Sequence, residues 1–329
     1  MKRRTLLAAL GGAIAGPGAS PAIVRAQPKV PRIGYLSARS LKSDGHLLDA
    51  FRSGLREQGY VEGENVTIDY RWADGNFDRL PALAVELVRD RPDVLAAVGA
   101  NPTPFAARAA TSTIPIVFII GTDPVAVGLV KSIGRPGGNM TGATLLASSL
   151  EGKRLELIHD MLPVARSVVL LANPSSNFLK EISSDAQSTA DALGLRLQIL
   201  SVSNRAEIER AFDAMAAIKP DAFAVSLDGI FFTQRDLFLA RAGAMRLPAI
   251  YPYREFAEAG GLASYSAPLP AQHRAVGVYV GRILKGARPG DLPIQQPTTY
   301  ELVLNLKAAR TLGVTLPPAF VARADDTIE

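Results

Sequence analysis

Arg32-Ile33-Gly34-Tyr35-Leu36, then apolar residues at Leu47, Leu48, Phe51 and Leu55, then Val66-Thr67-Ile68-Asp69-Tyr70: the reading of residues 32–70 decides the fold. Both ends are short runs of β-branched and aromatic residues, the mark of strands. The middle repeats at i, i+1, i+4 and i+8, which is one stripe along a helix. Strand, helix, strand at this spacing builds a parallel sheet. The alternation continues outward through Val94 to Val98 and Ile116 to Ile120, then through Val168 to Leu171, Arg196 to Leu200, Ala222 to Leu227 and Pro248 to Tyr251. Leu80, Leu83, Ala84, Leu87 and Val88 mark a second helix. Leu150, Leu155, Leu157, Ile158 and Leu162 mark another, ended by Pro163.

Eight strands in two groups of four predict an α/β protein of two doubly wound Rossmann-like lobes. The division falls near Arg135-Pro136-Gly137-Gly138-Asn139-Met140-Thr141-Gly142. This run lacks the Lys-Ser/Thr end of a P-loop and the strand-turn-helix setting of a dinucleotide fingerprint, so it reads as a helix end, a turn and the lead-in to a crossover strand. After the second group, Gly261 to Ser266 reads as a strand and Gln272 to Lys285 as a helix. Pro289, Pro293 and Pro297 then precede Tyr300 to Leu306 and a last helix. Such leftover elements send the chain back between the lobes and make a multi-strand hinge. The expected bounds are residues 27–143 with about 266–292 for the N-terminal lobe, and 144–265 with about 293–329 for the C-terminal lobe.

Residues 1–26 read as an export signal. Lys2-Arg3-Arg4 is a basic head, Leu6 to Ala15 an apolar run, and Val24-Arg25-Ala26 a small-residue cleavage site. The run is shorter than the roughly 20 residues a bilayer span needs. The paired arginines resemble a twin-arginine signal, and an ordinary Sec leader is the alternative. Cleavage near Ala26 would place the mature protein in the periplasm. The chain carries 36 basic and 31 acidic residues. Removing Lys2, Arg3, Arg4 and Arg25 leaves 32 basic residues, so the mature charge is about +1 and no strong basic field remains for nucleic acid. With no cysteine, the chain has no disulfide, thiol nucleophile or lipid-anchoring site. His46, His159 and His273 stand apart without the spacing of a metal site, and neither a metal nor a cofactor is expected.

Ligands of open parallel sheets bind beyond the carboxyl ends of strands. The loops there are Ser37-Ala38-Arg39, Arg71-Trp72, Gly99 to Thr103 and Gly121 to Pro124 in the first lobe. In the second they are Asn173-Pro174-Ser175, Val202-Ser203, Asp228 to Phe231 and Tyr251-Pro252-Tyr253. Ser37 and the helix start at Asn101 to Thr103 suit a carboxylate, although Asn101 could equally cap its own helix. Asp123 or Asp228 suits an ammonium group, or else caps the turn that follows it. Asn173 adds a polar contact. Phe231, Tyr251, Tyr265 and the single Trp72 could wall an apolar ligand, or pack in the core. Gly-x-Ser-x-Gly, His-Glu-x-x-His and Walker sequences are all missing.

Several segments carry a family likeness. They are Phe51 to Asn65 (FRSGLREQGYVEGEN), Arg71-Trp72-Ala73, Thr113 to Phe118, Arg135 to Asn139 and Gly152 to Leu157. Further on, Arg254-Glu255-Phe256, Gly260-Gly261-Leu262, Asn305-Leu306-Lys307 and Arg323-Ala324-Asp325 extend it. Through them nearly the whole mature chain resembles the tryptophan/tyrosine-type ABC transporter substrate-binding protein family. The resemblance implies a type I periplasmic binding fold with three crossovers. It also implies capture of an amino acid or related carboxylate by hinge closure, and delivery to a membrane permease and its ATPase; a monomer is expected. The chain departs from the family pattern at Asp228-Gly229 and at Gly99-Ala100-Asn101-Pro102, both in cleft loops. Two other functions fit the same cleft: an exported enzyme using Asp123 or Asp228 as general base, and a ligand-sensing subunit of a membrane receptor.

Overall fold

The computed structural model describes residues 30–146, 150–174 and 179–329. The expected leader and Ser175 lie outside them. The first half runs β1 (Arg32–Ser37), α1 (Leu41–Glu57), β2 (Thr67–Trp72), α2 (Leu80–Arg89), β3 (Val94–Val98), α3 (Pro102–Ala110), β4 (Ile116–Ile120) and β5 (Met140–Thr144). The second begins with α4 (Glu151–Met161), β6 (Ser167–Ala172), α5 (Leu179–Leu193), β7 (Arg196–Ser201), α6 (Arg205–Ile218) and β8 (Ala222–Val225). It continues with α7 (Gly229–Thr233), α8 (Arg235–Met245), β9 (Ala249–Tyr251), α9 (Arg254–Glu258) and β10 (Ala263–Ser266). α10 (Leu269–Leu284), β11 (Glu301–Asn305), α11 (Leu306–Leu312), α12 (Pro318–Val321) and β12 (Asp326–Ile328) complete the chain.

The first sheet has the order β2-β1-β3-β4-β5 and is parallel throughout. The second has the order β12-β11-β10-β9-β8-β6-β7, and its β7-β6-β8-β9-β10 part repeats the order of the first. Among the described residues only the β10–β11 pairing is antiparallel. Each lobe is therefore a doubly wound sheet with one reversal of strand order, at β1/β3 and at β6/β8. The central strands β3 and β4 are buried along their whole length, as strands covered on both faces must be. The glycine-rich run does lead into a strand, β5, added at the edge of the first sheet.

Three passages of chain join the sheets: between Thr144 and Glu151, between Ser266 and Leu269, and between Gln295 and Glu301. Gln295 still bonds to Gly142 and Thr144 of the first lobe before the last passage. α10 returns to the first lobe and lies against α1. A Cβ on Gly54 would sit 2.0 Å from the Arg274 carbonyl, and one on Gly277 would sit 2.1 Å from that of Phe51, so only glycine permits this helix contact. α1 itself starts at a capping box between Ser40 and Ser43, and its stripe of Leu47, Leu48, Phe51 and Leu55 is fully buried beneath β1.

A buried ion pair sits where the first and second passages meet. Arg154 and Glu151, both in the first turn of α4, approach to 2.7 Å with exposures of 0% and 1%. Arg154 also donates Nε and Nη2 to the carbonyl of Tyr265, and Glu151 Oε1 accepts the backbone N–H of Leu227. Burial pushes the Glu151 carboxyl up, against the opposing pull of Arg154. One pair thus ties a hinge segment, a strand end and the loop leading to Asp228.

Candidate functional site

The two strand-order reversals face each other, and the loops beyond them line the space between the lobes. A small cavity of about 20 Å³ is bounded by Arg39, Asn101, Asp228, Gly229, Tyr253 and His273, among others. That is room for about one water. A wider cleft of about 580 Å³ shares Asn101 and Asp228 with it, and this volume is in the range of small-molecule sites. Phe77, Leu80, Pro81 and Phe105 of the first lobe and Ile230 of the second make the cleft mainly apolar, with Thr122, Asn173 and Ser203 as polar edges.

Asn101, Asn173 and Asp228 are the sequence candidates that the fold brings to this space. Asn101 has helical φ and ψ and does not cap α3. Its Oδ1 accepts the N–H of Gly121 at 2.7 Å, linking the loops after β3 and β4. Asp228 caps α7 through Oδ1 and the Ile230 N–H at 2.9 Å, and its Oδ2 accepts from Asn173 Nδ2 at 3.1 Å. The capping alternative raised for Asp228 therefore holds through one oxygen, and the second oxygen faces Asn173. Burial raises its pKa while those two hydrogen bonds hold it down, and no cation among the described residues pairs with it.

The other candidates lie elsewhere. Ser37 is fully buried, with its Oγ accepting the Arg39 N–H at 3.2 Å. Thr103 is fully buried beside the sheet. Asp123 caps its own turn through the N–H groups of Val125 and Ala126. Phe231 and Tyr251 do not wall the cleft: both are core residues, Phe231 against Phe238 and Tyr251 stacked 4.7 Å from Phe256. Tyr265 stacks on Tyr300, and Trp72 lies against Tyr35 and Tyr70. Large aromatic rings bury more area in the core than at a wet strand end, so the core takes Phe231 and Tyr251 whole, while Tyr265 and Trp72 lie half-buried against it.

Arg39, Tyr253 and His273 line the cavity without having been singled out. Arg39 and Tyr253 do belong to strand-end loops, so position was the available signal. His273 comes from α10, which follows a crossover, and only the tertiary path brings it there. Its Nδ1 lies 3.0 Å from the Leu269 carbonyl and Nε2 has no partner among the described residues. Burial first, then Arg39, depresses its pKa to about 4, so the ring is neutral.

The lobes touch across this space. Arg39 lies 4.2 Å from the ring centroid of Phe232, and Tyr253 packs edge-on to the same ring. A Cβ on Gly229 would come within 2.6 Å of the Ala100 methyl and 3.1 Å of the Gly99 carbonyl. His46 of α1 meets Glu255 of α9 at 2.9 Å. The hydrogen bond to Glu255 raises the His46 pKa above its ordinary value, aided by Asp44 and Glu258. Burial would raise Glu255, but the bonds from His46 and the nearby Arg39 outweigh it and hold the carboxyl low. Both groups are charged only between these two pKa values. Raising the pH through the elevated His46 value removes the attraction, and lowering it through the depressed Glu255 value does the same. Ligand affinity is therefore expected to fall two- to fivefold as His46 deprotonates, the scale of a half-exposed pair. Titration calorimetry across that range checks it, and His46→Gln should flatten the profile.

A family model described as ABC transporter substrate binding protein matches residues 40–328. A tyrosine-binding protein of Clostridioides difficile is 26% identical over 80% of this chain and 75% of its own length. Among solved structures, a conserved domain protein of Vibrio cholerae superposes with a TM-score of 0.83 at 30% identity, over 91% of this chain and all of the other. An ABC domain from Streptococcus pneumonia in complex with L-Trp does so at 0.82 and 27%, over 91% and 99%. Such proteins bind a solute for a permease and its ATPase, and the family is extracytoplasmic. Among the described residues no helix is long and apolar enough to cross a membrane. The strand order, the three passages and the cleft between facing strand ends agree with these matches, and the chain belongs to the ABC transporter substrate-binding protein family, with the type I periplasmic binding fold.

Proposed function

We propose that the protein captures an amino acid with an apolar side chain between its lobes, outside the cytoplasm, and presents the closed form to its permease as a monomer. One observation carries this reading: Asp228, half-buried and without a cation partner among the described residues, lines both the small cavity and the mainly apolar cleft. A ligand ammonium supplies the missing charge, and the body extends over Phe77, Leu80 and Phe105. Asn101 and Asn173 hold the polar end from the two lobes. The names of the relatives support the choice, one being a tyrosine-binding protein and the other an L-Trp complex. Residues 1–26 act as the export signal and are cleaved near Ala26.

Binding should be read by native mass spectrometry of the protein as purified, followed by thermal shift against amino acids. A ligand at 100 times its dissociation constant adds about 2.7 kcal/mol to stability. Asp228→Asn keeps the helix cap through its oxygen and removes the charge, and its new amide NH2 keeps the Asn173 contact once the Asn173 amide turns to offer its oxygen. It is expected to weaken binding about 10- to 100-fold, the value of about 1.5 to 3 kcal/mol for a hydrogen bond to a charged group. Unchanged affinity in this variant sinks the placement of the ammonium, and failure of every amino acid to stabilise the wild type sinks the function.

A further inference from the structure

Arg39 is 2% exposed and lines the small cavity. Its Nε donates to Asp44 Oδ2 at 2.9 Å, and its face is covered by Phe232 of the opposite lobe. Among the described residues no group accepts from Nη1 or Nη2. A guanidinium carries five N–H donors in a fixed fork, and with one spent on Asp44 four are unspent where the group lines the cavity. Asp44 does not cancel this group fully. It sits in the first turn of α1, where Ser43 Oγ also donates to it at 3.0 Å and the helix N-terminus favours negative charge.

The other unspent groups around the cavity are acceptors. His273 Nδ1–H donates to the Leu269 carbonyl, which leaves Nε2 as a bare lone pair, and Asp228 has no cation. Free donors on Arg39 and free acceptors on Asp228 and His273 complement a zwitterion held where the two spaces meet, its carboxylate turned toward the small cavity and its body in the wider cleft. Ser37 and Thr103, the residues expected to hold a carboxylate, line neither space.

We propose that Arg39 reads the ligand's carboxylate, taking it in bidentate fashion on its two Nη groups while Phe232 closes over the guanidinium. This rests on the amino-acid reading given above and adds the residue that enforces it. Arg39 thereby separates amino acids from the amines and amides of the same side chain, and because Phe232 belongs to the other lobe, the same side chain couples carboxylate recognition to closure.

The test compares L-tryptophan, L-tyrosine, L-phenylalanine and L-leucine, each beside its carboxamide, by titration calorimetry. Wild-type protein is expected to bind at least one free acid at least 30-fold more tightly than its amide. Arg39→Met/Asp44→Asn removes both buried charges together, so that no unpaired Asp44 is left to unfold the lobe, and a circular dichroism melt confirms folding. In this variant the acid and the amide should bind within threefold of one another, with the amide at its wild-type affinity. A variant that keeps the wild-type preference overturns the role of Arg39 and leaves the amino-acid reading standing. Equal loss for acid and amide also overturns it, since that is the signature of a merely structural residue. Wild-type protein that binds none of the four acids overturns the amino-acid reading and this role together.

Discussion

Arg154→Met is expected to lower the melting temperature by roughly 10 °C, from a loss of about 3 to 5 kcal/mol. The arginine is fully buried with Glu151 at 2.7 Å, and it holds the Tyr265 carbonyl with two donors. Removing it strands a carboxylate that is already held above its ordinary pKa by burial, together with a carbonyl that no longer has these donors. The variant must either keep the charge at a desolvation cost or protonate Glu151, so its deficit should shrink as the pH falls toward the ordinary glutamate value. Replacing both partners, as Glu151→Met/Arg154→Met, should recover the part of the stability lost to the stranded charge, because two apolar side chains incur no desolvation cost, while the Tyr265 carbonyl and Leu227 N–H still lose these partners. Calorimetric melts of the three proteins at two pH values decide the matter. A single variant as stable as the wild type would show that this pair does not hold the hinge.

Gly229→Val is expected to weaken ligand binding about 100-fold while leaving the melting temperature of the unliganded protein nearly unchanged. The Cβ position meets Ala100 at 2.6 Å and Gly99 at 3.1 Å, and both belong to the opposite lobe. The clash therefore arises only when the lobes meet. Overpacking costs up to about 3 kcal/mol, and the same energy placed on closure lowers the fraction of binding-competent molecules, and with it the apparent affinity, by about two orders of magnitude. Small-angle scattering of wild type and variant with saturating ligand gives an independent reading, the variant staying more extended. Binding at wild-type strength would mean that the lobes do not need to approach as seen here. The effect is distinct from that of Asp228→Asn, which acts on the ligand's charge and leaves the path to closure open.

The architecture was legible because it rests on periods. Runs such as Val94 to Val98 and stripes such as Leu47, Leu48, Phe51 and Leu55 reflect burial on two faces of a sheet or one face of a helix. The observed β3 (Val94–Val98) and β4 (Ile116–Ile120) coincide with the sequence reading. β5 was visible only as a lead-in, since Met140-Thr141-Gly142-Ala143-Thr144 has no alternation and little bulk, and β12 has three residues. The aromatic residues show why sites are harder. Phe231 and Trp72 are expected in loops or at strand ends, yet the free energy of burying a ring draws Phe231 into the core and lays Trp72 half-buried against it. Asp123 and Asp228 follow apolar strands alike, and local sequence does not separate them. One spends its carboxylate on two N–H groups of its own turn, while the other has an oxygen left to face Asn173.

What the sequence determined by itself is the two-lobe parallel architecture, the passage of the chain between the lobes, and the set of loops from which a site is built, because these follow from the spacing of apolar residues along one segment at a time. What only the tertiary structure decided is which members of those loops share a cavity. Arg39 follows β1, Asp228 follows β8, and His273 arrives on α10 after a crossover. Their meeting depends on the register of two sheets and on the approach of two lobes. Contacts between segments far apart in sequence obey packing and desolvation in three dimensions, for which no local period exists.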